Sequence, residues 1–204
     1  VRLPADGPVA TSLIRQAVQQ VNAQTSISAQ VRHRTEMFGQ KLVGSGTYHQ
    51  LQSDKGLLVR FSLSVRGKDQ TISLLQVCDG RFLWTRDDSQ AKARLGRIDL
   101  RRLRAAADSG RIGAAASPLL LPGGGLGQLI ASLEVEFDFE PPREILFQDV
   151  PVWVLAGRWK PERLIVHLKK KDELLDQEGR VVSDSLPAQL PDRVLLLLGR
   201  DDLF

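Results

Sequence analysis

The chain has 204 residues, of which 42% are hydrophobic and 25% charged, with a formal net charge of +4. That length buries a real core, the composition is that of an ordinary globular protein, and a solvated mixed-charge surface accounts for the mild basicity. A single cysteine, Cys78, excludes an internal disulfide, and the chain has no apolar run of about 18 residues to make a transmembrane helix.

Residues 1–10 hold two prolines and a glycine and read as a loose arm. A helix is predicted over 11–24, capped by Thr11 or Ser12, because Leu13, Ile14, Ala17, Val18 and Val21 share one face. From about residue 27 the period changes to two. Strands are predicted at 27–37, 41–51 and 57–66, the last alternating Leu57, Val59, Phe61, Leu63 and Val65 with more polar neighbours. The hairpin "LLQVCDGRFLW" gives strands at 71–78 and 81–87, with Asp79-Gly80 expected to occupy two turn positions of positive φ. Another strand is predicted at 91–97. The short connections imply an antiparallel meander with one apolar and one polar face.

Asp99 is placed to cap a basic helix over 100–108, which carries Arg101, Arg102 and Arg104. The apolar segment "SPLLLPGGGLG" follows, and Leu126, Leu129, Ile130 and Leu133 then recur at helical spacing. Beyond them Glu134, Glu136, Asp138 and Glu140 alternate with Val135, Phe137 and Phe139, which reads as a strand with four carboxylates on one face. Further strands are predicted at 144–149, at 151–159 with Trp153 and Trp159, and from Arg193 to Leu198. Residues 161–170 fit either a helix opened by Pro161 or an alternating strand. With no internal repeat and no clear linker, residues 1–204 read as one domain.

The search for catalytic chemistry finds little. His33, His49 and His167 have no zinc-type spacing, and no elbow nucleophile is present. Cys78 has no His/Asp partners in view and reads as a small buried hydrophobe. "PGGGLGQ" lacks the Lys-Ser/Thr ending of a phosphate loop, so Gly123, Gly124 and Gly125 read as a hinge. A solvated outer face is the simpler account of the acidic strand. The basic helix lacks the interleaved aromatics of a nucleic-acid reader. We therefore expect no catalytic residue, no metal and no cofactor.

The order of elements is similar to another pattern. An N-terminal helix leads into a long strand, a Gly44-x-Gly46 strand, "LLVRFSLSV", and then Val77, Cys78-Asp79-Gly80 and Leu83-Trp84. This set resembles the LolA-like family of periplasmic lipoprotein carriers and its LppX/LprG and RseB-type relatives, best over residues 11–105. The resemblance implies an α+β fold: an incomplete antiparallel β-barrel, a curved half-barrel sheet with helices as a lid over its concave face. It implies a periplasmic or otherwise exported protein without enzymatic activity, and Val1 at the start of the chain is taken to mark a removed signal peptide.

On this reading acyl chains of a lipid or lipoprotein fill a hydrophobic cavity lined by Phe61, Leu63, Leu74, Phe82, Trp84, Phe137, Phe139 and Trp153. A lid around 99–133 would turn on Gly123–Gly125 and carry Leu126, Leu129 and Ile130. The expected state is a monomer with peripheral membrane contact and no nucleic-acid partner. The alternatives are an envelope sensor or protein-interaction module of the same fold, and a hydrolase using the acidic strand.

Overall fold

Six consecutive strands follow the first helix, each pairing antiparallel with the next. They are β1 (Ser26–Met37), β2 (Gln40–Ser53), β3 (Gly56–Arg66), β4 (Thr71–Asp79), β5 (Phe82–Asp87) and β6 (Arg94–Asp99). This computed structural model describes residues 9–37, 40–67, 71–88, 92–109, 124–167 and 193–204. The chain divides into two compact units, Gln24–Gly125 and the combination of Val1–Ala23 with Leu126–Phe204. The fold class is α+β, with four helices and no closed barrel among the described residues.

The first unit holds the meander and helix α2 (Leu100–Asp108). Its turns are set by side chains that bond their own backbone. Ser53 donates from Oγ to the Gly56 carbonyl at 2.8 Å and accepts from the Lys55 N–H at 3.2 Å, closing the β2–β3 loop. At the β4–β5 loop the expectation of two left-handed residues is corrected. Gly80 alone of the Asp79-Gly80 pair has positive φ, at 89°. Cys78 pairs with Leu83 where an Asp79-Gly80 turn would pair it with Arg81, so the register is shifted by two residues and Gly80 and Arg81 connect the strands. Asp79 instead folds back, its Oδ1 accepting from the N–H groups of Arg81 at 2.9 Å and Phe82 at 2.6 Å.

Helix α2 is capped as its sequence predicts. Asp99 Oδ1 accepts from the N–H of Arg101 at 3.0 Å and of Arg102 at 3.2 Å. These are two of the donors that a helix leaves unpaired at its start.

The second unit contains α1 (Ala10–Ala23), α3 (Gly125–Glu136, whose first residue falls in the other unit), β7 (Phe137–Phe139), β8 (Arg143–Phe147), β9 (Val150–Trp159), α4 (Pro161–His167) and β10 (Arg193–Gly199). Helix α1 buries Ala10, Leu13, Ile14, Ala17 and Val21. Its start is corrected by one position: the Val9 carbonyl accepts from Ser12 and Leu13, so Thr11 and Ser12 lie inside the first turn and do not cap it. Arg15 bonds Glu134 at 2.7 Å, and a Cβ at Gly127 would run into Asn22, so α1 and α3 lie side by side and antiparallel.

Strand β9 is the centre of a small sheet, with β10 on one side and both β7 and β8 on the other. Gln148 (φ 52°) and Asp149 (φ 64°) make the two-residue β8–β9 turn, the left-handed pair favoured in tight hairpins. Residues 161–167 settle as helix, with Pro161 in the first helical position. The core of this unit is Leu133, Phe137, Trp159 and Leu164, with Phe139, Val194 and Leu196 packed against it.

Candidate functional site

In an antiparallel sheet, directly opposite residues point to the same face. Across β1 to β5 the register therefore aligns Ile27, Gln50, Val59, Cys78 and Leu83, and all five are buried. The next row on that face is Ala29, Tyr48, Phe61, Gln76 and Thr85, with Tyr48 and Phe61 buried. The third row holds Val31, Gly46, Leu63 and Leu74, and the Val65–Ile72 pair lies beyond. Leu63, Leu74, Val65 and Ile72 are only half-buried. One face of the sheet is thus an apolar floor that becomes more open along the strands.

Four polar side chains interrupt the floor: Gln76 and Thr85, which are half-buried, and Tyr48 and Gln50, which are buried. The Tyr48 hydroxyl donates to Gln50 Oε1 at 2.6 Å, a buried pair two residues apart. Sequence reasoning placed Gly44, Gly46 and Tyr48 on one face. Extending that alternation by one step reaches Gln50. Cys78 is buried between Val59 and Leu83, with Sγ 3.5 Å from the Leu57 carbonyl.

The eight residues predicted to line one cavity do not share one surface. Phe61, Leu63 and Leu74 do, with Leu63 and Leu74 directly opposite. Phe82 and Trp84 project from the other side of the same sheet, because Leu83 is the β5 residue aligned with Cys78. Trp84 lies opposite Val77 and Arg97 and is 45% exposed. Phe137, Phe139 and Trp153 belong to the small sheet of the other unit and share one of its faces, since Phe137 pairs with Trp159 and Phe139 with Gly157. Phe137 is core there: its ring centroid is 4.4 Å from that of Trp159, and it is buried.

Of the hinge and lid residues, Gly123 lies outside the described residues, as does the apolar segment before it. Gly124 forms a turn before α3. Gly125 has φ 66°, and a Cβ on it would run into the Gln50 side chain and Leu57. Glycine is required there by backbone conformation and by close approach. Leu126 and Leu129 are half-buried and Ile130 is buried along α3.

The acidic strand is corrected. Glu134, Val135 and Glu136 are the last residues of α3, and only Phe137–Phe139 is strand. Glu134 is ion-paired to Arg15, and Glu136 is buried against Arg163. The four carboxylates therefore do not line up, and the arrangement on which a hydrolase would rest is not formed. Among the described residues no three His, Cys, Asp or Glu side chains converge on a point where a metal ion could sit. The side chains of His33 and His167 lie outside the described residues, and His49 Nδ1 is 3.2 Å from Ser28 Oγ. No described helix is long and apolar enough to cross a membrane.

Hydrogen bonds from the Phe82 and Arg81 N–H groups hold the Asp79 carboxyl below the usual carboxylate range, and the Arg102 N–H does the same for Asp99. A depressed native value means that the capping stabilisation is complete above the ordinary carboxylate value and is lost as pH falls through the native one. Acidifying below about pH 4 is therefore expected to lower the amide protection factors of Arg101 and Arg102, taken against the intrinsic exchange rate at the same pH, and Asp99→Asn to remove that pH dependence. Exchange followed by NMR checks both.

Comparison with protein-family models finds no match to this chain, and comparison with curated proteins finds none either.

Proposed function

We propose that the chain is an exported, non-enzymatic carrier of the LolA-like type: a sheet curved into an incomplete barrel, with helices as its cover, that holds acyl chains of a lipid or lipoprotein. The observation that carries this reading is the apolar face running from Val59 and Phe61 to Leu63, Leu74, Val65 and Ile72, buried at one end and half-open at the other. Gly44 and Gly46 put no side chain on that face beside Val65 and Leu63. An acyl chain laid there leaves water, and each buried CH₂ contributes roughly 0.8 kcal/mol. Pockets that are mostly apolar with few polar groups suit such ligands, and Tyr48, Gln50, Gln76 and Thr85 are the polar groups here.

Native mass spectrometry of the purified protein, beside mass spectrometry of its organic extract, tests this. Acyl-lipid adducts are expected, and Leu63→Glu with Leu74→Gln should abolish them, since these positions are half-buried and tolerate the change. Trp84→Asp should leave the adducts intact because Trp84 is on the opposite face. A clean ligand-free mass after incubation with lipids overturns the carrier. It would favour the sensor or protein-interaction module, for which a face already filled by Phe61 and Tyr48 is sufficient.

A further inference from the structure

The other face of the same sheet, at its β5–β6 end, carries an unusual mixture. Leu95 is 82% exposed and Trp84 45%, and Leu103 on the adjoining α2 is 38% exposed. Between Asp79 and Arg104 the chain has eight basic residues and four aspartates. Asp79 and Asp99 are spent on backbone N–H groups, and Asp88 is paired with Arg86. The Arg97 guanidinium lies over two rings, 5.0 Å from the Phe82 centroid and 5.4 Å from that of Trp84. Arg81 lies 4.8 Å from the Phe82 centroid. Beside them a groove of about 610 Å³ is lined by Arg81, Phe82, Arg97, Asp99, Arg102 and Leu103, and by Ile98 of the edge strand β6, which the register aligns with Leu83 on the opposite face. All of these residues belong to one compact unit.

We propose that this surface docks on an anionic lipid bilayer. Arginines beside an exposed tryptophan suit the boundary between headgroups and acyl chains, where the cation meets phosphate and the indole is half wet. Leu95 and Leu103 provide aliphatic tips for the layer beneath, which a purely electrostatic contact would not need. A polynucleotide fits less well. The ring stack is already occupied by Arg97, and the exposed leucines would meet nothing apolar. The proposal goes beyond the carrier reading and does not need cargo on the opposite face.

The test is flotation of the purified chain with vesicles of phosphatidylcholine, with and without phosphatidylglycerol, at low and high salt. Binding is expected only where phosphatidylglycerol is present, weakening as salt screens it. Each arginine near such a surface is worth about a fivefold change in partitioning, so Arg97→Gln and Arg102→Gln together should lower it roughly 20-fold. Arg97 also packs on two rings, so Arg101→Gln, at an exposed position of α2, tests charge without disturbing that packing. Tryptophan emission should shift to the blue on binding in the parent and not in Trp84→Phe. Three results would overturn the proposal: no binding, equal binding to neutral vesicles, or arginine-dependent binding to a single-stranded oligonucleotide without binding to vesicles.

Discussion

Arg163→Met is expected to destabilise the chain by about 3 kcal/mol, because it takes a two-point cation contact away from the buried carboxylate of Glu136. Glu136 is 2% exposed. Arg163 holds both of its oxygens, Nη2 at 2.5 Å from Oε1 and Nε at 3.3 Å from Oε2. The carboxylate sits on the last residue of α3, where the helix dipole disfavours a negative charge, so its need for the cation is greater than at a neutral position. The pair ties the end of α3 to the first turn of α4, above the Phe137–Trp159–Leu164 core. Lys160 completes the junction: its Nζ donates to the Glu134 carbonyl at 2.8 Å, and its backbone N–H to the Glu136 carbonyl at 3.0 Å.

The loss should shrink as pH falls. Removing the cation raises the affinity of the buried carboxyl for a proton relative to the parent, so the gap between variant and parent narrows once that carboxyl is protonated. The double variant Glu136→Gln, Arg163→Met removes the buried charge together with its cation and should regain most of the loss. Urea unfolding at neutral and mildly acidic pH measures all of this. A single variant within about 0.5 kcal/mol of the parent would mean that the pair does not hold the junction.

The fate of Glu136 also shows where sequence reading fails. "EVEFDF" alternates perfectly over 134–139, and period two favours a strand. The helical series Leu126, Ile130, Leu133 also continues, to Phe137, and it wins because α3 packs on α1 and ends on Lys160. A buried glutamate looks like a surface residue until its partner, 27 positions away, is placed beside it. The meander, by contrast, was legible, because one apolar face per strand and short polar connections leave few other pairings. The cap at Asp99 was legible too, since an aspartate before an apolar-periodic stretch has a local role that needs no tertiary contact.

The division of Phe82 and Trp84 from Leu74 was within reach of the sequence. A turn at Asp79-Gly80 and the register observed both align Leu83 with the Leu74 face, because they differ by an even number of residues. Apolar character alone had grouped residues that parity separates. Parity also puts apolar side chains on both faces of β4, Leu74 on one and Leu75 and Val77 on the other.

Gly46→Ala is expected to cost about 2–3 kcal/mol, the cost of forcing extra volume into a packed site. The Gly-x-Gly strand stood out in the sequence as a pattern, and the register supplies its physics. Gly46 lies between Val31 on β1 and Leu63 on β3. A Cβ there would run into the Ser62 carbonyl oxygen, with the Ser62 carbonyl carbon at 2.8 Å and Leu63 Cα at 3.0 Å. Those are backbone atoms of the neighbouring strand, so relief requires β2 and β3 to part where Thr47 Oγ1 and Ser62 Oγ bond at 2.9 Å.

Gly96→Ala is the matched control. It sits in β6 at the end of the same sheet, and the nearest atom to its added Cβ is the Thr85 carbonyl oxygen at 4.0 Å, an ordinary contact. It should be neutral or slightly stabilising, since alanine narrows the unfolded ensemble. For a chain of this size the Gly46 variant should melt roughly 5–10 °C lower and the Gly96 variant within a degree or two. Equal melting of Gly46→Ala and the parent would show that β2 and β3 can part without cost. The glycine would then matter for the space it leaves on the Leu63 face, and the same variant should lose acyl-chain adducts while keeping its stability.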